Sequence, residues 1–221
     1  EAAKKMTMYL SSEKGANSLF GDGKLADTIK QMAPKDQFVY DPMNPVPALG
    51  GGVCCNKGAA LGGSYDQRSI EARQDVLVYT SEILDNEFEV TGNVRPIIYV
   101  SSDVKDTDFT VKLVDVHPDG TAYNVDDTIF RARYREGYYK QVFMQENQIY
   151  EIKPTPMSTS HAFKQGHRVR IEISSSKFPQ YMRNLNTGGN NYDETTGIVA
   201  NNTIHHSKEY PSRIIFSIMP H

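Results

Sequence analysis

The sequence predicts an all-β fold, a two-layered β-sandwich of the jelly-roll kind, and three observations carry that expectation. Short extended segments follow one another from residue 75 to 219 with turn signals between them. Residues 167–174 alternate strictly, with Val169, Ile171 and Ile173 on one side and Arg168, Arg170 and Glu172 on the other. The final segment, 213–219 (RIIFSIM), is apolar on both faces, as a terminal strand returning to the core would be. Long connections between the earlier strands favour a jelly roll over a simple meander.

Residues 5–10 (KMTMYL) read as a short strand, 11–27 as loop, and 25–32 as one or two helical turns at most. Residues 37–40 form a brief extended segment. The stretch 41–63 carries three prolines and six glycines without any period, the composition of a functional loop or a strap. Strands are then expected at 76–80, 88–90, 95–100, 108–116, 128–134, 148–153, 167–174 and 213–219. Within 108–116, Phe109, Val111 and Leu113 alternate with Thr110 and Lys112, but Val114 and Val116 are apolar on the opposite parity. That slip implies a bulge or a strand covered on both faces. His117-Pro118-Asp119-Gly120 then turns the chain.

The totals exclude several function classes. With 24 basic and 27 acidic residues in 221, the net charge of −3 argues for neither a nucleic acid nor a membrane surface as partner. No apolar run approaches the ~20 residues that span a bilayer. The chain starts at Glu1 without a signal-peptide pattern and reads as a portion of a longer polypeptide, so no compartment is assigned. The only two cysteines, Cys54 and Cys55, are adjacent; a bridge between neighbours is strained, and free thiols are the expectation.

Gly62-Gly63-Ser64-Tyr65-Asp66 lacks the closing glycine of a nucleophile elbow, so Ser64 is not expected to attack anything. Adjacent His205 and His206 would point to opposite strand faces, and surface or edge positions are expected for them rather than a shared metal. Asp103, Asp106 and Asp108 lack the grammar of a calcium loop and read as turn caps, as do Asp126 and Asp127. No metal and no cofactor are expected. Tyr138, Tyr139 and Tyr181 could form a sugar platform, which keeps a free-standing carbohydrate-binding module as the alternative. Arg183, in the polar loop after the best strand, could pair with a carboxylate inside the domain or across an interface.

Six stretches, YDPMNPVPALGGG (40–52), DQRSIEARQDVLVYTSEIL (66–84), VTGNVRPIIYVSSDVKDTDFTVKLVDVHPDGTAYNV (90–125), IFRARYREG (129–137), FKQGHRVRIEISSSKFPQYMRNLNTGG (163–189) and NTIHHSKEYPSRIIFSIMP (202–220), together resemble one known family. It is the C-terminal domain of the X-prolyl dipeptidyl-peptidase, cocaine-esterase and α-amino-acid-ester-hydrolase family of serine hydrolases. The resemblance implies a galactose-binding-like jelly roll over residues 37–221, preceded at 1–36 by a linker or the tail of an α/β-hydrolase domain. It implies that the Ser, Asp and His of catalysis lie in that hydrolase domain, leaving no catalytic residue here and an inactive isolated fragment. The sandwich would pack on the hydrolase domain, with a small ester or peptide as substrate of the intact enzyme and self-association possible. Val53, Cys54 and Cys55 would wall the acyl pocket, and Asp66, Arg68, Asp108 and Arg183 would be interdomain or structural loop residues.

Overall fold

The computed structural model describes residues 3–29, 34–54 and 62–219. In chain order its strands are β1 (Lys4–Ser11), β2 (Lys24–Ala26), β3 (Asp36–Tyr40), β4 (Leu77–Thr80), β5 (Phe88–Ser102), β6 (Asp108–Val116), β7 (Ala122–Arg131), β8 (Tyr150–Ile152), β9 (Met157–Phe163), β10 (Arg168–Ser174), β11 (Ala200–His205) and β12 (Arg213–Ile218). One short helix, α1 (Arg68–Glu71), precedes β4.

The strands hydrogen-bond in the order β3-β11-β5-β12-β1-β2-β4-β10-β6-β7, with β8 and β9 also on β5. Laid flat, β11 and β6 would stand roughly 34 Å apart at the usual strand spacing. Yet Ile204 of β11 and Phe109, Val111 and Leu113 of β6 share one buried cluster with residues of β1, β5, β10 and β12. The sheet therefore curls into two layers around a common core, and the fold is an all-β sandwich. Each fully buried Phe, Leu or Ile in it, Phe216 and Ile171 among them, contributes about 1.5–3 kcal/mol of burial.

The parity slip in β6 has a clear cause. All nine of its residues are buried. Phe109, Val111 and Leu113 face the core, while Val114 and Val116 pack with Ala122 in a second cluster on the opposite side. The Pro- and Gly-rich segment crosses that outer side as a strap, burying Val46, Ile70, Val76 and Val78 with Leu49 against it. The pairing of β6 with β7 also shifts register between Leu113 and Val114.

Several expectations need correction. Residues 88–90 and 95–100 belong to one 15-residue strand, β5, because pairing continues past Gly92 and Pro96 to β9 and β12. Residues 24–26, expected as loop and helical turn, form β2, and residues 30–33 lie outside the described residues. The strand expected at 128–134 starts earlier, at Ala122, and its last three residues turn into a 3₁₀ helix. Strands β9 and β11 were not anticipated, because their outward positions are Ser and Asn, which read as loop text. The strand expected at residues 5–10 is present as β1, and it pairs with β12 on one side and β2 on the other.

Candidate functional site

Where the strap turns back on itself it forms a loop closed by paired glycines. The Gly51 and Gly63 amides each donate to the other's carbonyl, at 2.8 and 2.9 Å. Both residues hold positive φ (120° and 109°), a region that favours glycine. A Cβ on Gly62 would come within 1.7 Å of the Val53 carbonyl oxygen, so only glycine lets the two arms cross this closely. Asn124 of β7 clamps the base: its Oδ1 accepts from Tyr65 N at 2.7 Å and Gln67 Nε2 at 3.1 Å, and its Nδ2 donates to Gly63 O at 3.0 Å. Gln67 Nε2 donates further to Leu49 O at 3.0 Å.

Beneath the strap lies a chain of buried charge. Lys112 Nζ donates to Gln67 Oε1 at 2.7 Å and to Glu172 Oε2 at 2.6 Å. Arg170 Nη1 donates to Glu71 Oε2 at 2.6 Å, tying helix α1 to β10. Burial, reinforced by the Glu172 charge, pushes Glu71 up to about 7 despite Arg170. Lys177 pairs with Asp127, which also accepts from Tyr181 Oη at 3.1 Å. Burial holds Lys177 below its usual range. Charges set this deep are stable only when each keeps its partner, so they hold the strap in one position.

Val53 is half-buried and Cys54 exposed at this loop, while Cys55 lies outside the described residues. Cys54 is disulfide-bonded, which corrects the expectation of free thiols. Asp66 and Arg68 form a local ion pair at 2.5 Å, and Asp66 Oδ1 also accepts from Ala122 N at 3.2 Å, pinning the strap to β7. The Arg68 guanidinium holds the Asp66 carboxyl below its usual range. Arg183 makes no ion pair among the described residues; it donates to Pro42 O at 3.1 Å and lies over the Phe178 ring.

Asp106 and Asp108 are not turn caps. Both are buried, Asp106 with Arg133 Nη2 at 2.7 Å and Asp108 with Arg131 Nε at 2.9 Å. Asn184 Nδ2 donates to both carboxylates, at 2.6 and 2.8 Å. Burial drives Asp108 upward even so. Asn184 was not anticipated as a site residue; nothing marks it in the sequence except its place in a polar loop. Asp103 accepts from Asn201 N at 2.8 Å and Nδ2 at 2.6 Å across the sheet edge. Asp127 likewise serves a buried pair rather than a turn.

The expectation of surface histidines at 205 and 206 fails for His206, which is buried and 2.8 Å from Asp36 Oδ2. Ser12 Oγ donates to Asp36 Oδ1 at 2.8 Å and lies 3.3 Å from the same His206 nitrogen. One nitrogen thus faces both serine and aspartate, whereas a catalytic triad needs the two ring nitrogens to serve different partners. This cluster is a structural hub, joined by Tyr79 Oη donating to Asp36 at 2.7 Å. Burial would raise Asp36, but the hydrogen bonds from His206 and Tyr79 outweigh it and hold it low. Of the tyrosines considered for a sugar platform, Tyr138 and Tyr139 are exposed, whereas Tyr181 is engaged with Asp127.

Three apolar side chains, one on the strap and two in the loop after β10, are exposed: Met43 (55%), Phe178 (40%) and Met182 (37%). They belong to one end of the sandwich, since Pro47 bridges Phe178 and Arg183 reaches Pro42.

Comparison with known proteins agrees with this architecture. The chain is 43% identical over 215 residues to the cocaine esterase of Rhodococcus sp. (strain MB1 Bresler), covering 96% of this chain and 37% of that protein. The chain therefore spans little more than a third of that relative's length. Among solved structures, an aminopeptidase from a marine sediment Thaumarchaeota archaeon superposes with a TM-score of 0.84 at 27% identity, over 98% of this chain and 37% of that one. An α-amino acid ester hydrolase superposes with a TM-score of 0.83 at 26% identity, over 97% of this chain and 36% of the other. The family model described as the X-Pro dipeptidyl-peptidase C-terminal non-catalytic domain matches residues 1–215, and the chain belongs to that family.

Proposed function

We propose that this chain packs on the α/β-hydrolase domain of a serine hydrolase and completes its substrate pocket, its own sandwich being a galactose-binding-like jelly roll. The parent enzyme would cleave an ester or an X-Pro peptide through an acyl-enzyme: serine attack, histidine as general acid and base, aspartate orienting it. The names of the relatives support that reaction class, and the non-catalytic family supports the division of labour. The observation that carries the proposal is the glycine-crossed loop, clamped by Asn124 and Gln67 and flanked by exposed Met43, Phe178 and Met182. A rigidly clamped loop base near exposed apolar side chains is what a pocket wall at a domain junction requires. Val53, Cys54 and Cys55 supply that wall, and their small size leaves room for a bulky acyl group.

The parent enzyme tests this directly. Val53→Phe, and Cys54→Leu combined with Cys55→Leu, should lower kcat/KM for bulky acyl esters against small ones by roughly tenfold or more, the usual worth of one or two methylenes in a pocket. Ile83→Ser, at an exposed position outside the loop, should leave the ratio unchanged. An unaltered acyl preference in both loop variants sinks the pocket-wall assignment.

A further inference from the structure

At one end of the sandwich four ligand-type side chains converge that are dispersed in the sequence. Asp115 and His117 lie at and just past the end of β6, His167 immediately before β10, and His161 in β9. All four share the inward parity of their strands, that of Leu113, Val169 and Phe163 in the core. Asp115 is buried and sits between the rings: His167 Nδ1 is 2.8 Å from Oδ1 and His161 Nε2 2.9 Å from Oδ2. His117 Nε2 stands 3.9 Å from the same Oδ2, too far for a hydrogen bond. Donor atoms of Asp115, His117 and His167 all lie within 4.8 Å of one another.

We propose that Asp115, His117, His161 and His167 bind one divalent transition-metal cation of the zinc class, which clasps the two layers of the sandwich together. Three imidazoles and one carboxylate are a donor set suited to such an ion, and hard cations such as calcium would want more oxygens. A tetrahedral ion with bonds of 2.0–2.1 Å separates its donors by roughly 3.3 Å. The three distances to Asp115, 2.8, 2.9 and 3.9 Å, bracket that value. His161 is not among the donors that already lie within 4.8 Å of one another, so its ring must turn from Asp115 toward His117 and His167 to complete the site. The rings are already held: His117 packs on His167 and on Tyr123, with centroids 4.4 and 5.0 Å apart, and His161 on Phe163 at 4.7 Å. Side chains of His117 and His161 are 38% and 32% exposed, which gives the ion a path in, while His167 and Asp115 form the floor. His161 comes from a strand paired with β5, and the other three donors come from the β6–β10 pair. The bound ion therefore links elements that share no backbone hydrogen bonds. Sequence spacing conceals the set, which is why no metal was expected.

The test uses protein stripped of metal by a chelator and then titrated with Zn²⁺ or Co²⁺ by calorimetry. One equivalent should bind, the thermal midpoint should rise by roughly 5–10 °C at a hundredfold excess over Kd, and bound Co²⁺ should show the visible absorption of a tetrahedral site. His117→Ala, at the most exposed ring, and His161→Ala should each weaken binding at least about tenfold. His205→Ala should not. Absence of saturable binding, equal affinity in parent and both variants, or an octahedral Co²⁺ spectrum would each overturn the proposal. Should His161→Ala fail to fold, His117→Ala and the parent's Co²⁺ spectrum decide.

Discussion

His205 and Glu71 are governed by the same cause, burial, with opposite consequences for stability. Burial, with Lys35 and His206 nearby, lowers His205 from 6.5 to about 4. The native ring stays neutral where the unfolded one gains a proton, so stability is lost as pH falls from about 6.5 through 4. Glu71 moves the other way, from 4.5 up to about 7, and its contribution is lost as pH rises through that window. Compared with the parent, His205→Gln should therefore gain thermal midpoint as pH falls from 6.5 to 4. Glu71→Gln should gain as pH rises from 4.5 to 7. Midpoints measured across pH 4 to 8 check both, and parallel curves for parent and variants would refute the assignment. Neither residue advertised this in the sequence: His205 read as a surface or edge residue, and no local pattern marks Glu71.

The polar loop after β10 is held by the buried pairs at the start of β6 and the end of β7. Asp106 with Arg133 and Asp108 with Arg131 share Asn184, and Arg133 Nη1 also donates to Gly189 O at 3.0 Å. Removing one member strands the other in a low-dielectric site. Asp106→Asn should cost about 3–5 kcal/mol, because Arg133 is left buried and unpaired. The double variant Asp106→Asn with Arg133→Met should recover much of that loss. Denaturant unfolding of the two single variants and the double closes the cycle, and strict additivity would show that the pair does not act as a unit. Strand β6 itself was legible to the residue, since hydrophobic alternation and a Pro-Gly turn bound it on both sides. Its partners across the network were not, for Asn184 is brought there by a fold that no local pattern encodes.

Viewed as a whole, the molecule spends much of its polar hydrogen bonding on holding the strap and the loop beside it. That investment makes sense when the covered end faces another domain, the reading proposed above. If so, the chain produced without its hydrolase domain should self-associate through the end bearing Met43, Phe178 and Met182. Sedimentation velocity should show concentration-dependent association that Met43→Ser with Met182→Ser abolishes. A clean monomer at high concentration, with no affinity for the separately produced hydrolase portion, would count against docking at this end. The same sample should not turn over ester or X-Pro substrates, since the Ser12–His206–Asp36 cluster offers one nitrogen to both its partners.

Period-2 hydrophobicity, turn residues and the family resemblance were enough to establish an all-β sandwich, most of its strands and the family. These are signals that neighbouring residues carry among themselves, and they survive without knowledge of the fold. The polar strands β9 and β11, the Asp106–Asp108–Asn184 network, the burial of His206 and the convergence of Asp115 with three histidines arise from contacts between segments distant in the chain. Burial and pairing are properties of the environment a side chain enters, and that environment exists only once the sheet has curled around its core.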